Sequence, residues 1–226
     1  MGYFQIGEAL TLSWGKFKEH FVFLWVTLGV TIALSALMGA VEKVVGEGSV
    51  SFLVSIVSTF LTMTVQLGLT RLYLDLIDSN TEGKVGALFS QYRLFFRYVG
   101  AAILFGLMVF FGVLLFIVPG IYLALKYQFF SELIVDKQLG IMESLRKSGE
   151  ITEGIKWQLL GFSLVLAGVN VLGALCFGLG LLVTIPVTTV AYFIVYRKLS
   201  LRLGQNIKET PTPSVSVEPN TSAASL

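Results

Sequence analysis

No charged side chain occurs between Trp157 and Tyr196, a run about twice the roughly 20 residues that one helix needs to cross a bilayer. It therefore predicts two crossings folded back on each other, with the turn at Cys176 to Gly180, where glycines suit a tight reversal. Two further uncharged runs, Phe21 to Val41 and Val50 to Thr70, are each one crossing long. Composition agrees: 55% of residues are hydrophobic and 13% charged, against the near-quarter charged content of a soluble domain. The chain is an all-α, polytopic membrane protein on this reading, with little length left for a soluble catalytic domain. A cleavable leader fits the N-terminus poorly, because Glu8 and Glu19 lie in the charged stretch that precedes a full-length apolar run.

The remaining apolar run, Tyr98 to Leu125, is long for one crossing and short for two. The basic residues decide between them. With two crossings here, every lysine and arginine except Lys43 falls on one side of the membrane; with one, they divide between the sides. The excess of basic residues in cytoplasmic loops favours the first. The predicted domain is thus residues 1–205, with six spans at about 21–41, 50–72, 96–111, 113–135, 157–176 and 180–199. Both termini are cytoplasmic, and the membrane is the cytoplasmic (inner) one. The third span is expected to turn at Phe110 to Gly112, leaving Pro119 in the first two turns of the fourth helix, where a missing backbone donor costs least. Residues 206–226, rich in proline, serine and threonine, are expected to be a disordered cytoplasmic tail.

Three amphipathic stretches lead into the hairpins. Ile6, Leu10, Trp14, Phe17 and Phe21 share a helical face. So do Val85, Leu88, Phe89, Tyr92, Phe95 and Phe96, and, more weakly, Leu139, Met142 and Leu145. Each predicts a cytoplasmic interfacial helix with aromatics at headgroup depth. The similarity of Leu114–Pro119 (LLFIVP) to Leu181–Pro186 (LLVTIP) suggests three parallel units, each an interfacial helix, an outward span and a returning span.

The segments EALTLSWGKFKEHF (8–21), IVPGIYLALKYQFFSELIVD (117–136), GIMESLRKSGEITEGIKWQLLG (140–161) and GLLVTIPVTTVAYFIVYRKL (180–199) resemble the membrane domain named after glycerophosphoryl diester phosphodiesterases, together with uncharacterised bacterial and archaeal relatives of that domain. The likeness extends to Leu203 and is strongest from Ile117 to Trp157. It implies a six-helix membrane module that handles or senses lipid or an amphipathic substrate. Catalysis in those phosphodiesterases belongs to a separate soluble barrel, so hydrolysis does not carry over.

Candidate site residues are few. Arg71, Lys126 and Arg197 lie near the cytoplasmic ends of the returning spans, each beside a tyrosine: Tyr73, Tyr127 and Tyr196. They could hold a lipid phosphate between them, or serve only as topology markers whose stems lie in lipid. Arg71 and Asp75 are spaced for an i,i+4 ion pair. Glu132 and Asp136, one turn apart, could form a proton or cation site or a solvated face. Gln66 and Asn170 read as interhelical hydrogen-bonding positions, and Gly161, Gly168 and Gly173 as close-packing positions. His20 and Cys176 are the single histidine and cysteine, so no ordinary zinc site or internal disulfide is expected, and no cofactor motif is present. The expected role is non-enzymatic: a scaffold, accessory or lipid-interacting module. Its expected partners are membrane lipids, other membrane proteins or further copies of itself, and not nucleic acid. The competing role is a small transporter or permease subunit for an amphipathic or anionic solute.

Overall fold

The computed structural model describes residues 5–45, 49–78, 92–175, 178 and 180–209, without the side chains of 42, 49–51, 92, 93 and 202–209. Among these the chain is helical almost throughout, with no strand. The helices are α1 (Ile6–Glu19), α2 (Phe21–Val45), α3 (Ser49–Ile77), α4 (Tyr92–Leu115), α5 (Ile117–Tyr127), α6 (Phe130–Lys137), α7 (Ile141–Ile151), α8 (Lys156–Leu175) and α9 (Leu181–Glu209). Five are long and apolar enough to cross a membrane: α2, α4 and α8, with Phe52–Ile77 of α3 and Leu181–Leu201 of α9.

Helix α9 is the hub. Half of its apolar window is buried, against about a tenth for α2 and α4. It packs on α1, α2, α3, α7 and α8. The largest cluster of buried side chains gathers Phe193, Tyr196 and Leu199 of α9 around Phe129, Leu133, Leu159 and Phe162. A second joins Phe17 of α1 and Leu24 of α2 to Val190 and Ile194 of α9. Helix α1 therefore lies against protein through Ala9, Ser13 and Phe17, while Trp14 and Phe21 of the expected face remain exposed.

The hairpin of α4 and α5 departs from the sequence expectation. Helix α4 continues through Phe110 to Gly112 and ends at Leu115, and the chain reverses at Phe116 in extended backbone (φ −161°, ψ 147°). Gly112 is a packing residue: a Cβ there would meet Leu123 at 2.9 Å and Gly120 Cα at 3.0 Å. The two helices can approach so closely only because both positions lack side chains. The other hairpin closes in the same manner, since a Cβ on Gly180 would lie 2.5 Å from the Gly173 carbonyl oxygen. Gly178 takes φ +76° in that turn. Gly161 and Gly168 face open space and close no contact.

The expected fourth span, 113–135, is two helices. Helix α5 has 11 residues and α6 has 8, with a break at Gln128 and Phe129. Pro119 is the third residue of α5, where its missing donor falls among the unpaired first amides. The break leaves the Lys126 and Gln128 carbonyls and the Phe129 amide without helical partners. Other helices supply them: Ser148 Oγ accepts from the Phe129 amide at 3.1 Å and lies 3.2 Å from the Lys126 carbonyl, and Thr152 Oγ1 is 2.9 Å from that same oxygen. Tyr192 donates to the Gln128 carbonyl at 3.1 Å. Irregular backbone among buried apolar helices persists only when its polar groups are paired in this way.

Helix α7 also differs from the amphipathic face read in the sequence. Its buried residues are Ser144, Leu145, Ser148, Gly149 and Ile151, and Met142 is exposed. Small side chains let α7 sit close enough to patch the break. The stretch containing Val85, Leu88 and Phe89, the turn residue Cys176 and the tail from 210 onward lie outside the described residues. Residues 206–209, assigned by sequence to the tail, continue α9 as helix.

Candidate functional site

Three places carry the polar chemistry. The first joins the ends of α3 and α6 to the middle of α9. Arg197 of α9 reaches Asp136 of α6 through Nη1, at 3.0 Å and 3.1 Å to the two carboxylate oxygens. It also reaches Asp78, just past α3, through Nε at 2.7 Å and through Nη2. Tyr196 donates to Asp136 at 3.0 Å, and Lys137 Nζ lies 3.4 Å from the same carboxylate. At the same end of the molecule Lys198 pairs with Glu8 of α1 at 2.8 Å. Arg97 of α4 donates to the Gln138 carbonyl at 2.8 Å. The forked guanidinium suits two carboxylates at once, which a lysine could not match.

The second place is a crevice of about 500 Å³ between α4, α5 and α7. Leu104, Met108 and Leu145 form an apolar wall, with Lys126, Arg146 and Lys156 beside Tyr122 and Tyr127. Glu150 and Glu153 also line it. Glu150 is held by Lys147 at 3.0 Å and Arg146 at 3.7 Å. Lys156 donates to the Tyr122 hydroxyl at 2.7 Å, and Lys126 Nζ stands 5.1 Å from the Tyr127 ring centre. Neither Lys126 nor Lys156 has a carboxylate within ion-pair distance among the described residues. Gly149 makes room for the lysine stem, since a Cβ there would lie 3.1 Å from Lys126 Cε.

The third place is a cavity of about 320 Å³ where α3, α4, α6 and α9 meet, lined by Gln66, Leu67, Thr70, Tyr98, Ser131, Glu132, Tyr192 and Phe193. Glu132 is 6% exposed, and its Oε2 is buried with no hydrogen-bond partner among the described residues.

The residues singled out by sequence fall as follows. Arg71 pairs with Asp75 at 3.3 Å. Arg197 is held by Asp78 and Asp136, and Lys126 faces α7 in the crevice, so the three cations serve different neighbours. Tyr73 stacks on Phe193 with ring centres 5.1 Å apart. Tyr127 accompanies Lys126, and Tyr196 bonds Asp136. Asn170 Nδ2 is 3.2 Å from Thr188 Oγ1, a bond between α8 and α9. Gln66 borders the Glu132 cavity, whereas Asp136 belongs to the arginine cluster. Sequence reasoning missed Asp78, Tyr122, Arg146 and Lys156, and also the cavity oxygens of Thr70, Tyr98 and Ser131. Arg146 and Lys156 were visible only as basic residues on the cytoplasmic side, with nothing to link them to Lys126. Among the described residues no group of three His, Cys, Asp or Glu side chains could hold a metal ion.

An all-helical chain with five apolar helices of crossing length is compatible with a multi-pass membrane protein. A family model described as "Protein of unknown function (DUF975)" matches residues 114–202, the stretch holding the α5–α6 break, most of the crevice lining and most of α9. The chain is similar over its length to uncharacterised proteins of Mycobacterium tuberculosis (strain H37Rv) and Mycobacterium bovis, at 28% identity over 245 aligned positions covering 93% of this chain and 72% of each relative. No solved structure matches it.

Proposed function

We propose that this is a non-enzymatic, six-crossing protein of the cytoplasmic membrane that binds the phosphate of an anionic inner-leaflet lipid at Lys126 and Lys156. The reading is that of a lipid-interacting module, as the likeness to the phosphodiesterase membrane domain implies. The crevice carries it: two lysines without carboxylate partners among the described residues, two tyrosines and an apolar wall stand together on helices whose outer faces are apolar. A phosphate accepts charge-assisted hydrogen bonds from such cations, each contributing about 1.5–3 kcal/mol, and acyl chains suit Leu104 and Met108. The negative surface of the cytoplasmic leaflet adds roughly 1 kcal/mol per basic residue.

Six crossings with both ends on one face are supported by the ion-pair geometry. The ends of α3 and α6 meet Arg197, and Gln138 comes back beside Arg97, so the segment from α4 to α6 makes a round trip. Helix α1 reaches the same end through Glu8. On this reading α1 and α7 are the interfacial elements, each docked on protein by a side that mixes small and apolar residues.

Native mass spectrometry of the protein purified with its own lipids tests the proposal. A retained anionic phospholipid is expected, lost in a Lys126→Ala, Lys156→Ala double variant and kept in Arg71→Ala, whose cation already has Asp75. Equal lipid occupancy in all three proteins would refute it. For the topology, a cysteine introduced at Arg146 should stay unlabelled by an impermeant maleimide added outside intact cells.

A further inference from the structure

We propose that the cavity around Glu132 is a binding site for one monovalent cation, separate from the lipid crevice. Its walls come from four helices and present oxygens: the Glu132 carboxyl, the hydroxyls of Thr70, Tyr98, Ser131 and Tyr192, and the Gln66 carboxamide. Glu132 lies below a tenth exposure, with one carboxyl oxygen unpartnered among the described residues. A buried carboxyl oxygen left without a hydrogen-bond partner is costly enough that such groups in native proteins call for a ligand or a function.

Two of the four hydroxyls nearby already donate their hydrogens to backbone carbonyls and are open to a cation only as acceptors. Tyr192 gives its one hydrogen to the Gln128 carbonyl at 3.1 Å, and Thr70 gives its own to the Gln66 carbonyl at 3.0 Å. Both oxygens are left with lone pairs only. Arg197, one helical turn along α9 from Phe193, is already committed to Asp78 and Asp136. Among the described residues no lysine or arginine lines the cavity. The site thus has one formal negative charge and several neutral acceptor oxygens, a donor set for a hard cation of single charge. A divalent ion would want more carboxylates than this one. At about 320 Å³ the space exceeds a bare ion and suits either a sodium ion with coordinated water or a primary ammonium group.

Thermal unfolding of the detergent-purified protein distinguishes these. Sodium, potassium and methylammonium chlorides are titrated at constant ionic strength held with choline chloride, and magnesium chloride is run beside them. One monovalent cation should raise Tm saturably, by roughly 5 to 10 °C at a hundredfold excess over Kd. Sodium alone doing so identifies an inorganic ion; methylammonium doing so identifies an amine headgroup or solute. The rise should vanish in Glu132→Gln and shrink in Gln66→Leu, which keeps the carboxylate and provides a second readout should Glu132→Gln fold poorly. The proposal is overturned if no cation moves Tm beyond the choline baseline, if Glu132→Gln responds like the native protein, or if magnesium saturates as well as the monovalent ions. The Lys126→Ala, Lys156→Ala variant should keep the full cation response, so loss of the lipid site and loss of the cation site are read separately.

Discussion

Removing Arg197 should separate a half-buried ion network from an exposed one within a single cluster. The guanidinium side chain is 15% exposed; its two partners differ, with Asp136 at 7% and Asp78 at 40%. Arg197→Met keeps the length of the stem and strips the charge, leaving Asp136 with the Tyr196 hydroxyl and a half-exposed Lys137 at 3.4 Å. Taking one partner from a buried pair costs about 3 to 5 kcal/mol, because the other charge stays behind undersolvated. Lys137 offsets part of this, so about 3 kcal/mol is expected. Asp78→Asn touches only the exposed arm, where pairs contribute about 0.2 to 1 kcal/mol. At 2 to 4 °C per kcal/mol for a chain of this size, Arg197→Met should lower the unfolding midpoint by roughly 6 to 12 °C and Asp78→Asn by no more than about 4 °C. The double variant Arg197→Met, Asp136→Asn removes both buried charges and should recover most of the loss. Thermal unfolding in one detergent of the native protein, Asp78→Asn, Arg197→Met, Asp136→Asn and the Arg197→Met, Asp136→Asn double variant gives the coupling directly. If Arg197→Met costs no more than Asp78→Asn, or if the double variant loses the sum of its parts, the cluster does not hold α3, α6 and α9 together as a half-buried network.

Four further substitutions, one of them a control, test the packing that positions the sites. Gly120→Ala places a Cβ 2.8 Å from the Val113 amide nitrogen and 2.9 Å from its Cα, so α4 and α5 must part. About 1 to 3 kcal/mol should be lost in thermal unfolding, whereas Gly106→Ala, with nothing within 4 Å, should be neutral or stabilising by up to about 1 kcal/mol. Ser148→Ala leaves the buried Phe129 amide unpaired and should cost about 1 to 3 kcal/mol, with faster hydrogen exchange at Phe129 but not at Leu159 as the local signature. Asn170→Leu removes the α8–α9 side-chain bond and should cost only about 0.6 kcal/mol, the usual contribution of such bonds between apolar helices. A loss above about 2 kcal/mol there would mean that Asn170 has a further partner.

What was legible in the sequence was the part governed by local rules. Apolar length marked where five helices of crossing length lie. The turn at Phe116 had no local mark, because a one-residue reversal among Leu114, Leu115, Ile117 and Val118 contains no glycine, proline or polar residue. Gly112 looked like punctuation, but its role is defined by Gly120 on the opposite helix. The α5–α6 break is equally silent. Gln128 and Phe129 do not break helices by themselves, and what stabilises the break is Ser148 and Thr152 arriving from α7 and Tyr192 from α9. The face of α7 was read only in part: Leu145 of the expected face is buried, but Ser144, Ser148 and Gly149 dock beside it, and hydrophobic periodicity assigns such residues to water.

Charges show the limit most sharply. Arg197 could be read as a cation at a membrane face, yet its partner Asp78 lies 119 positions away, and no property of either residue announces the other. Lys126 carries the same sign at a similar position in its hairpin, and differs in what the fold leaves around it. Its neighbours Glu150 and Glu153 are met by other cations or turned to solvent, while Arg197 faces two carboxylates. The two cations are equivalent as sequence and opposite as chemistry, one a structural tie and the other open to an anion, because folding fixes which counter-charges come within 4 Å. A sequence pattern can therefore count the cations near the ends of these helices; the ones available to a ligand are those that the ion pairs have not already taken.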